Sequence, residues 1–120
     1  MSKDLNIIMH LDFYGEVLTE KQRDVIELYY NEDLSLAEIA QNLGITRQGV
    51  RDSIKRGEAV LLDMEQKLGL LARFNELKAQ LEDITGLVRQ IGEINSKFSR
   101  SLDIAERIEK ILKITDDISL

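Results

Sequence analysis

The chain has 120 residues, a net charge of −6, 43% hydrophobic and 32% charged residues, and neither proline nor cysteine. This composition is typical of a helical domain, excludes disulfides and thiolate metal sites, and fits a reducing cytoplasm. No segment has the long uncharged apolar run of a signal peptide or a membrane span, so we predict a cytoplasmic protein without membrane contact.

Apolar residues near the start of the chain recur at helical spacing and predict a first helix. Gly15 lies near its expected end. One face of such a helix is apolar, so we expect it to close a helical head domain. The residues of this face are Ile7, Ile8, Leu11, Tyr14 and Leu18.

Two capping boxes follow, Thr19 with Gln22 and Ser35 with Glu38. In this motif a hydroxyl and a carboxylate or amide three residues later satisfy free amides in the first turn of a helix. Apolar residues at helical spacing come after each box, which predicts two short helices. These residues are Val25, Ile26 and Tyr29 in the first, and Leu36, Ile39, Ala40 and Leu43 in the second.

Gly44 predicts a sharp turn after the second of these helices, because glycine readily takes the left-handed conformation that ends a helix. Ile45 is expected to fill the corner, and Thr46 to cap a third helix. Val50, Ile54 and Leu61 would face inward on that helix. Two helices joined by a glycine turn in this way predict a helix-turn-helix.

The third helix carries a basic row, because Arg47, Arg51 and Lys55 recur every fourth residue and Arg56 lies beside them. In helix-turn-helix proteins the first residues of this helix enter the major groove, where arginine and glutamine bind base edges. The row alone would more often be solvated surface, but the preceding turn favours DNA contact. The predicted DNA-binding residues are Thr46, Arg47, Gln48 and Arg51 for bases, and Lys55 and Arg56 for phosphate.

The charge around this helix has the wrong sign for simple DNA binding. Residues 1–66 contain seven Lys or Arg and thirteen Asp or Glu. Since affinity for nucleic acid depends largely on neutralising phosphates, three alternatives are open. These are weak DNA binding, binding as a dimer that pools its basic faces, and use of the fold to bind a protein.

Several runs of the head resemble region four of bacterial sigma factors: LTEKQR from Leu18, LYY from Leu28, LAEIA from Leu36 and GITRQ from Gly44. With FYG from Phe13 and IKR from Ile54, the chain more closely resembles the YlxM family of helix-turn-helix proteins between about Leu11 and Phe74. This resemblance implies a DNA-binding regulatory role and an association with the signal recognition particle pathway. Gly49 and Arg51 depart from the family, which more often has alanine and an aromatic residue there.

From Leu70 onward a seven-residue repeat of apolar residues predicts a coiled-coil-like seam. Asn95 and three serines interrupt it, so we predict a turn or kink near residues 95–101 followed by a last helix. An intramolecular helical hairpin and a homodimer are both open. The predicted dimer or partner seam consists of Leu70, Phe74, Leu77, Leu81, Ile84, Val88, Ile91 and Phe98, and Ile104, Ile108, Ile111 and Ile118 resume the repeat.

Together these patterns predict an all-α protein. Residues 1–68 form a sigma region four-like head with its motif at about 35–57, and residues 69–120 a tail of long amphipathic or coiled-coil helices. We expect a DNA-binding regulator or, as the alternative, a protein-binding adaptor. Its expected partners are double-stranded DNA, a second copy and, by resemblance, the signal recognition particle. His10 is the only histidine, and we expect no catalysis, cofactor or metal.

Overall fold

The computed structural model describes residues 3–118, and within that range it contains helices and no β-strand. The predicted all-α fold is therefore confirmed. The helices are α1 (Asn6–Tyr14), α2 (Glu20–Tyr30), α3 (Leu36–Leu43), α4 (Arg47–Leu68), α5 (Leu70–Ile94) and α6 (Leu102–Asp117). A 3₁₀ turn (Gly15–Val17) follows α1, and a π-helical turn (Asn95–Ser99) follows α5.

Both predicted capping boxes are present. The Thr19 side chain accepts from the N–H of Gln22 at 3.2 Å while the Gln22 side chain accepts from the N–H of Thr19 at 3.1 Å. Ser35 and Glu38 make the same reciprocal pair at 3.1 Å each. These bonds satisfy amides that have no partner within the helix, and so they set where α2 and α3 begin.

Helix α4 is the centre of the head, because α1, α2 and α3 all pack against it. Its inward residues are fully buried at 0% exposure, as the apolar spacing predicted. They meet the buried faces of the other three helices in one core. The core residues at the lowest exposure are Ile7, Val25, Ile26, Ile39, Val50, Ile54 and Leu61.

A glycine of α4 lies against the side chains of α2. Gly57 lies in the middle of α4, and a Cβ at this position would overlap the Cδ1 atom of Ile26. Glycine inside a helix costs about 1 kcal/mol relative to alanine. The close approach of the two helices explains why a helix-weakening residue stands there.

The corner at Gly69 lies at the end of the head, where side chains from α1 and α4 bind the backbone. Gly69 ends α4 in the left-handed conformation, with φ +64°. The Tyr14 hydroxyl donates to Glu65 at 2.6 Å and accepts from the N–H of Leu70 at 3.1 Å. Glu65 also accepts from the N–H of Leu71 at 2.9 Å. The head, as a compact unit, extends through this corner to Leu71.

The second compact unit begins at Ala72 and is a helical hairpin of α5 and α6. Its turn depends on Asn95, which is 7% exposed. The Asn95 side chain donates to the carbonyl of Ser101 and accepts from the Ser101 N–H, both at 2.9 Å. The predicted turn near residues 95–101 is thus present. The structure also has the intramolecular hairpin, one of the two arrangements that the apolar repeat allowed. No helix within residues 3–118 is long and apolar enough to cross a membrane.

Candidate nucleic-acid interface

The turn between α3 and α4 has the predicted geometry. Gly44 adopts φ +68° and ψ +35°, and its N–H is bonded to the carbonyl of Ala40. The same carbonyl accepts from the N–H of Ile45 at 3.1 Å, and Ile45 packs against the core. Thr46 then caps α4 by accepting from the N–H of Gly49 at 2.9 Å. These contacts fix the first turn of α4 relative to α3.

All six residues predicted to bind DNA lie at or near the start of α4 and are exposed to solvent: Thr46, Arg47, Gln48, Arg51, Lys55 and Arg56. The buried residues Val50, Ser53 and Ile54 occupy the opposite side of the same turns. Four of the six are cations: Arg47, Arg51, Lys55 and Arg56. The ion pairs found within residues 3–118 involve other side chains. The structure therefore brings the predicted residues together on one face with their charges open to solvent.

One neighbour of this face was missed by the sequence reasoning. The Gln48 side-chain amide donates to the Asp52 carboxylate at 2.9 Å, four residues along the exposed side of α4. The bond leaves the Gln48 carbonyl oxygen available as an acceptor. The spacing of four residues on one helix could have predicted this contact.

Two acidic side chains of α4, one in the middle of the helix and one near its end, accept hydrogen bonds from tyrosines. The Tyr30 hydroxyl donates to Glu58 at 2.6 Å, as Tyr14 does to Glu65. Burial and the hydrogen bond to Glu58 raise the pKa of Tyr30 well above its usual value, and burial with the Glu65 bond likewise raises that of Tyr14. The two tyrosines thus act as neutral donors that tie α1 and α2 to α4. Glu58 and Glu65, two of the acidic side chains of the head, therefore contribute to its packing.

The predicted tail seam is divided between two environments. Val88 is buried and Leu81 half-buried in the hairpin, and Phe74 is also half-buried. The other predicted seam residues, Leu70, Leu77, Ile84, Ile91 and Phe98, are exposed. Asn95, which interrupts the repeat, is the residue that closes the hairpin turn.

His10 is buried in α1, with its ring centroid 6.3 Å from that of Tyr14. The side chains placed between Lys3 and Ile118 contain no cluster of three or more histidine and carboxylate ligands for a metal.

The fold, the left-handed Gly44 turn and the capped, basic α4 define a helix-turn-helix protein. A family model described as "Putative helix-turn-helix protein, YlxM / p13 like" matches residues 1–99. The chain therefore belongs to this family, also called UPF0122, and the resemblance to the YlxM family is confirmed.

Relatives across several bacteria share this membership along nearly their whole length. A UPF0122 protein of Acetivibrio thermocellus is 43% identical over 110 residues, which cover 92% of this chain and 93% of the relative. One from Desulforamulus reducens is 41% identical over 109 residues, covering 89% and 91%. One from Bacillus cereus strain AH187 is 39% identical over 98 residues, covering 82% and 89%.

Proposed function

We propose that this protein is a DNA-binding regulator that inserts the start of α4 into the major groove of double-stranded DNA. The observation that carries the proposal is the exposed row of Arg47, Arg51 and Lys55 directly behind a well-formed helix-turn-helix turn. The first residues of this helix are the ones that contact base edges in proteins of this class.

The residues divide into two roles by their position on α4. Arg47 and Arg51 lie in its first turns, where a guanidinium can bind guanine bidentately. Gln48, held at its amide by Asp52, presents its oxygen to a donor such as the adenine amino group. Lys55 and Arg56 lie a turn further along and supply phosphate contacts that do not depend on sequence.

The acidic head sets a condition on this binding. Thirteen acidic side chains against seven basic ones within residues 1–66 provide little nonspecific attraction for DNA. Affinity must therefore come from the α4 face itself. Binding should be measurable at low salt and weaken as salt increases.

The test is an electrophoretic mobility shift assay with randomised duplex DNA at low salt, followed by sequencing of the bound fraction. Arg47→Ala and Arg51→Ala should change the preferred sequence at a cost of about 1–3 kcal/mol each. Lys55→Ala should weaken all sequences evenly and lower the salt slope by about one phosphate. Lys67→Ala, on the exposed far end of α4, is the matched control and should leave binding unchanged. Absence of any shift by the wild type would contradict the proposal.

The charge of the head favours a second candidate, an adaptor that uses the same fold to bind a protein. An acidic surface with a net charge of −6 suits a basic protein surface better than a phosphate backbone. Because of the family resemblance, the signal recognition particle is the partner to test. Binding of the particle that survives in the Arg47→Ala, Arg51→Ala double variant, together with no DNA shift, would favour the adaptor.

A further inference from the structure

One side of the tail hairpin is an exposed apolar surface. Eight aliphatic side chains contribute to it, each between 37% and 61% exposed. We call this surface the apolar face of the hairpin. It consists of Leu77, Ile84, Leu87, Ile91 and Ile94 of α5, and Ile104, Ile111 and Ile114 of α6.

Helix geometry places these residues on the same side of the hairpin. Ile84 precedes the buried Val88 by four residues, and Ile104 precedes the half-buried Ile108 by four. Four residues turn a helix by about 400°, so each isoleucine is rotated by about 40° in the same sense from the contact between the helices. Because α5 and α6 run antiparallel, rotation in the same sense leads to the same side of the pair.

The opposite side of the hairpin has a different character. Grooves between α5 and α6 on that side have Lys78, Glu82, Arg89 and Glu93 in their lining, beside aliphatic residues such as Leu81 and Leu112. The hairpin as a whole is therefore amphipathic, with one mostly charged side and one mostly aliphatic side, on which the helical spacing also places Gln80 and Arg107. A monomeric soluble protein seldom leaves so large an apolar surface uncovered.

From this arrangement we propose that a second copy of the chain covers the apolar face, so that two hairpins form a four-helix bundle. Eight side chains of this size at about half exposure present on the order of 700 Å², close to the roughly 800 Å² that each partner buries in a stable interface. The area fits a dimer made by this surface alone.

Periodicity and charge both select a second hairpin as the occupant. Leu77, Ile84 and Ile91 repeat every seven residues, and Ile104 and Ile111 continue the same spacing in α6. Seven-residue repeats on two adjacent helices fit the helix packing of a bundle. Residues 67–120 contain nine basic and nine acidic side chains, so the tail does not repel its own copy and does not select a charged ligand.

This proposal does not depend on DNA binding, and its test contains no DNA. Sedimentation equilibrium of the full chain should give twice the mass of the 13.8 kDa chain. The Ile84→Gln, Ile91→Gln double variant should weaken dimerisation by at least about a hundredfold. The matched control is Glu82→Gln with Arg89→Gln, which has the same seven-residue spacing on the other side of α5 and should remain dimeric.

A second measurement covers the case in which the glutamine variant does not keep its helices, as judged by circular dichroism. Because the chain has no cysteine, a single Leu87→Cys can be cross-linked with a flexible bismaleimide and compared with Arg89→Cys. Cross-linked dimer at position 87 well above that at position 89 would support the proposal. A monomeric wild type at about 100 μM, equal loss of dimer in the control, or equal cross-linking at both positions would overturn it.

Discussion

The close crossing at Gly57 allows a quantitative test of how α2 and α4 pack. Replacing Gly57 with alanine should gain about 1 kcal/mol of helix propensity. The new methyl would overlap the Cδ1 atom of Ile26, a side chain with no exposed surface. Overpacking of this kind costs about 1–3 kcal/mol. We therefore expect Gly57→Ala to lower the free energy of unfolding of the head by about 1 kcal/mol.

A compensating substitution isolates the cause. Ile26→Val removes the Cδ1 atom and should by itself cost about 1 kcal/mol. In the Gly57→Ala background the new methyl occupies the vacated space, so the same change should cost nothing or restore stability. The coupling between the two positions should then reach about 1 kcal/mol or more, whereas independent sites add to within about 0.5 kcal/mol.

Urea denaturation followed by tyrosine fluorescence suits this cycle. The chain has no tryptophan, and its three tyrosines, Tyr14, Tyr29 and Tyr30, all lie in the head. The signal therefore reports the head without a contribution from the hairpin. Gly49→Ala is the control within α4, because it gains the same helix propensity while its methyl would meet only the Thr46 hydroxyl at 3.2 Å, so it should not lower the stability of the head. Simple additivity of Gly57→Ala and Ile26→Val would refute the packing argument.

Three further predictions concern a turn, a titration and a hairpin. Gly44→Val should destabilise the head by about 1–2 kcal/mol in thermal melts, because φ +68° is strained for any side chain, and an unchanged midpoint would be inconsistent with the turn. Since its raised pKa means that Tyr30 holds its proton more tightly when folded, the head should lose stability as the pH rises above about 10, the value in the unfolded chain. Tyr30→Phe should flatten that decline in urea midpoints measured across this range, and an unaltered decline would rule out Tyr30 as its source. Asn95→Ala removes both bonds to Ser101 and should reduce the helical signal of the hairpin at intermediate urea, with a loss of about 1–3 kcal/mol, while the tyrosine transition stays in place.

Local signals in the sequence predicted the head well. The capping pairs, Gly44 and the Thr46 cap depend on residues at most four apart, and the structure has each of them. The exposed placement of Arg47, Arg51 and Lys55 followed from helical periodicity once the start of α4 was fixed. These features are predictable because the chemistry that produces them lies within one helical turn.

Contacts between distant residues could not be predicted in the same way. Neither the bond between Tyr14 and Glu65, which are 51 residues apart, nor the proximity of Gly57 to Ile26 has a local pattern. The apolar repeat of the tail shows which side of a helix avoids water, but the same repeat suits a partner within the chain and one outside it. The structure divides the repeat, since Val88 is buried in the hairpin and Ile84 remains exposed.

The corner at Gly69 has a consequence for the order in which the tail forms. The first amides of α5 are bonded to the Tyr14 hydroxyl and the Glu65 carboxylate. Starting a helix is the unfavourable step of its formation, and acceptors that are already in place reduce that cost. A folded head thus offers α5 a prepared nucleus, and helix growth should proceed from Leu70 towards Asn95. Hydrogen exchange in α5 should accordingly be slowest next to the head and become faster towards the turn.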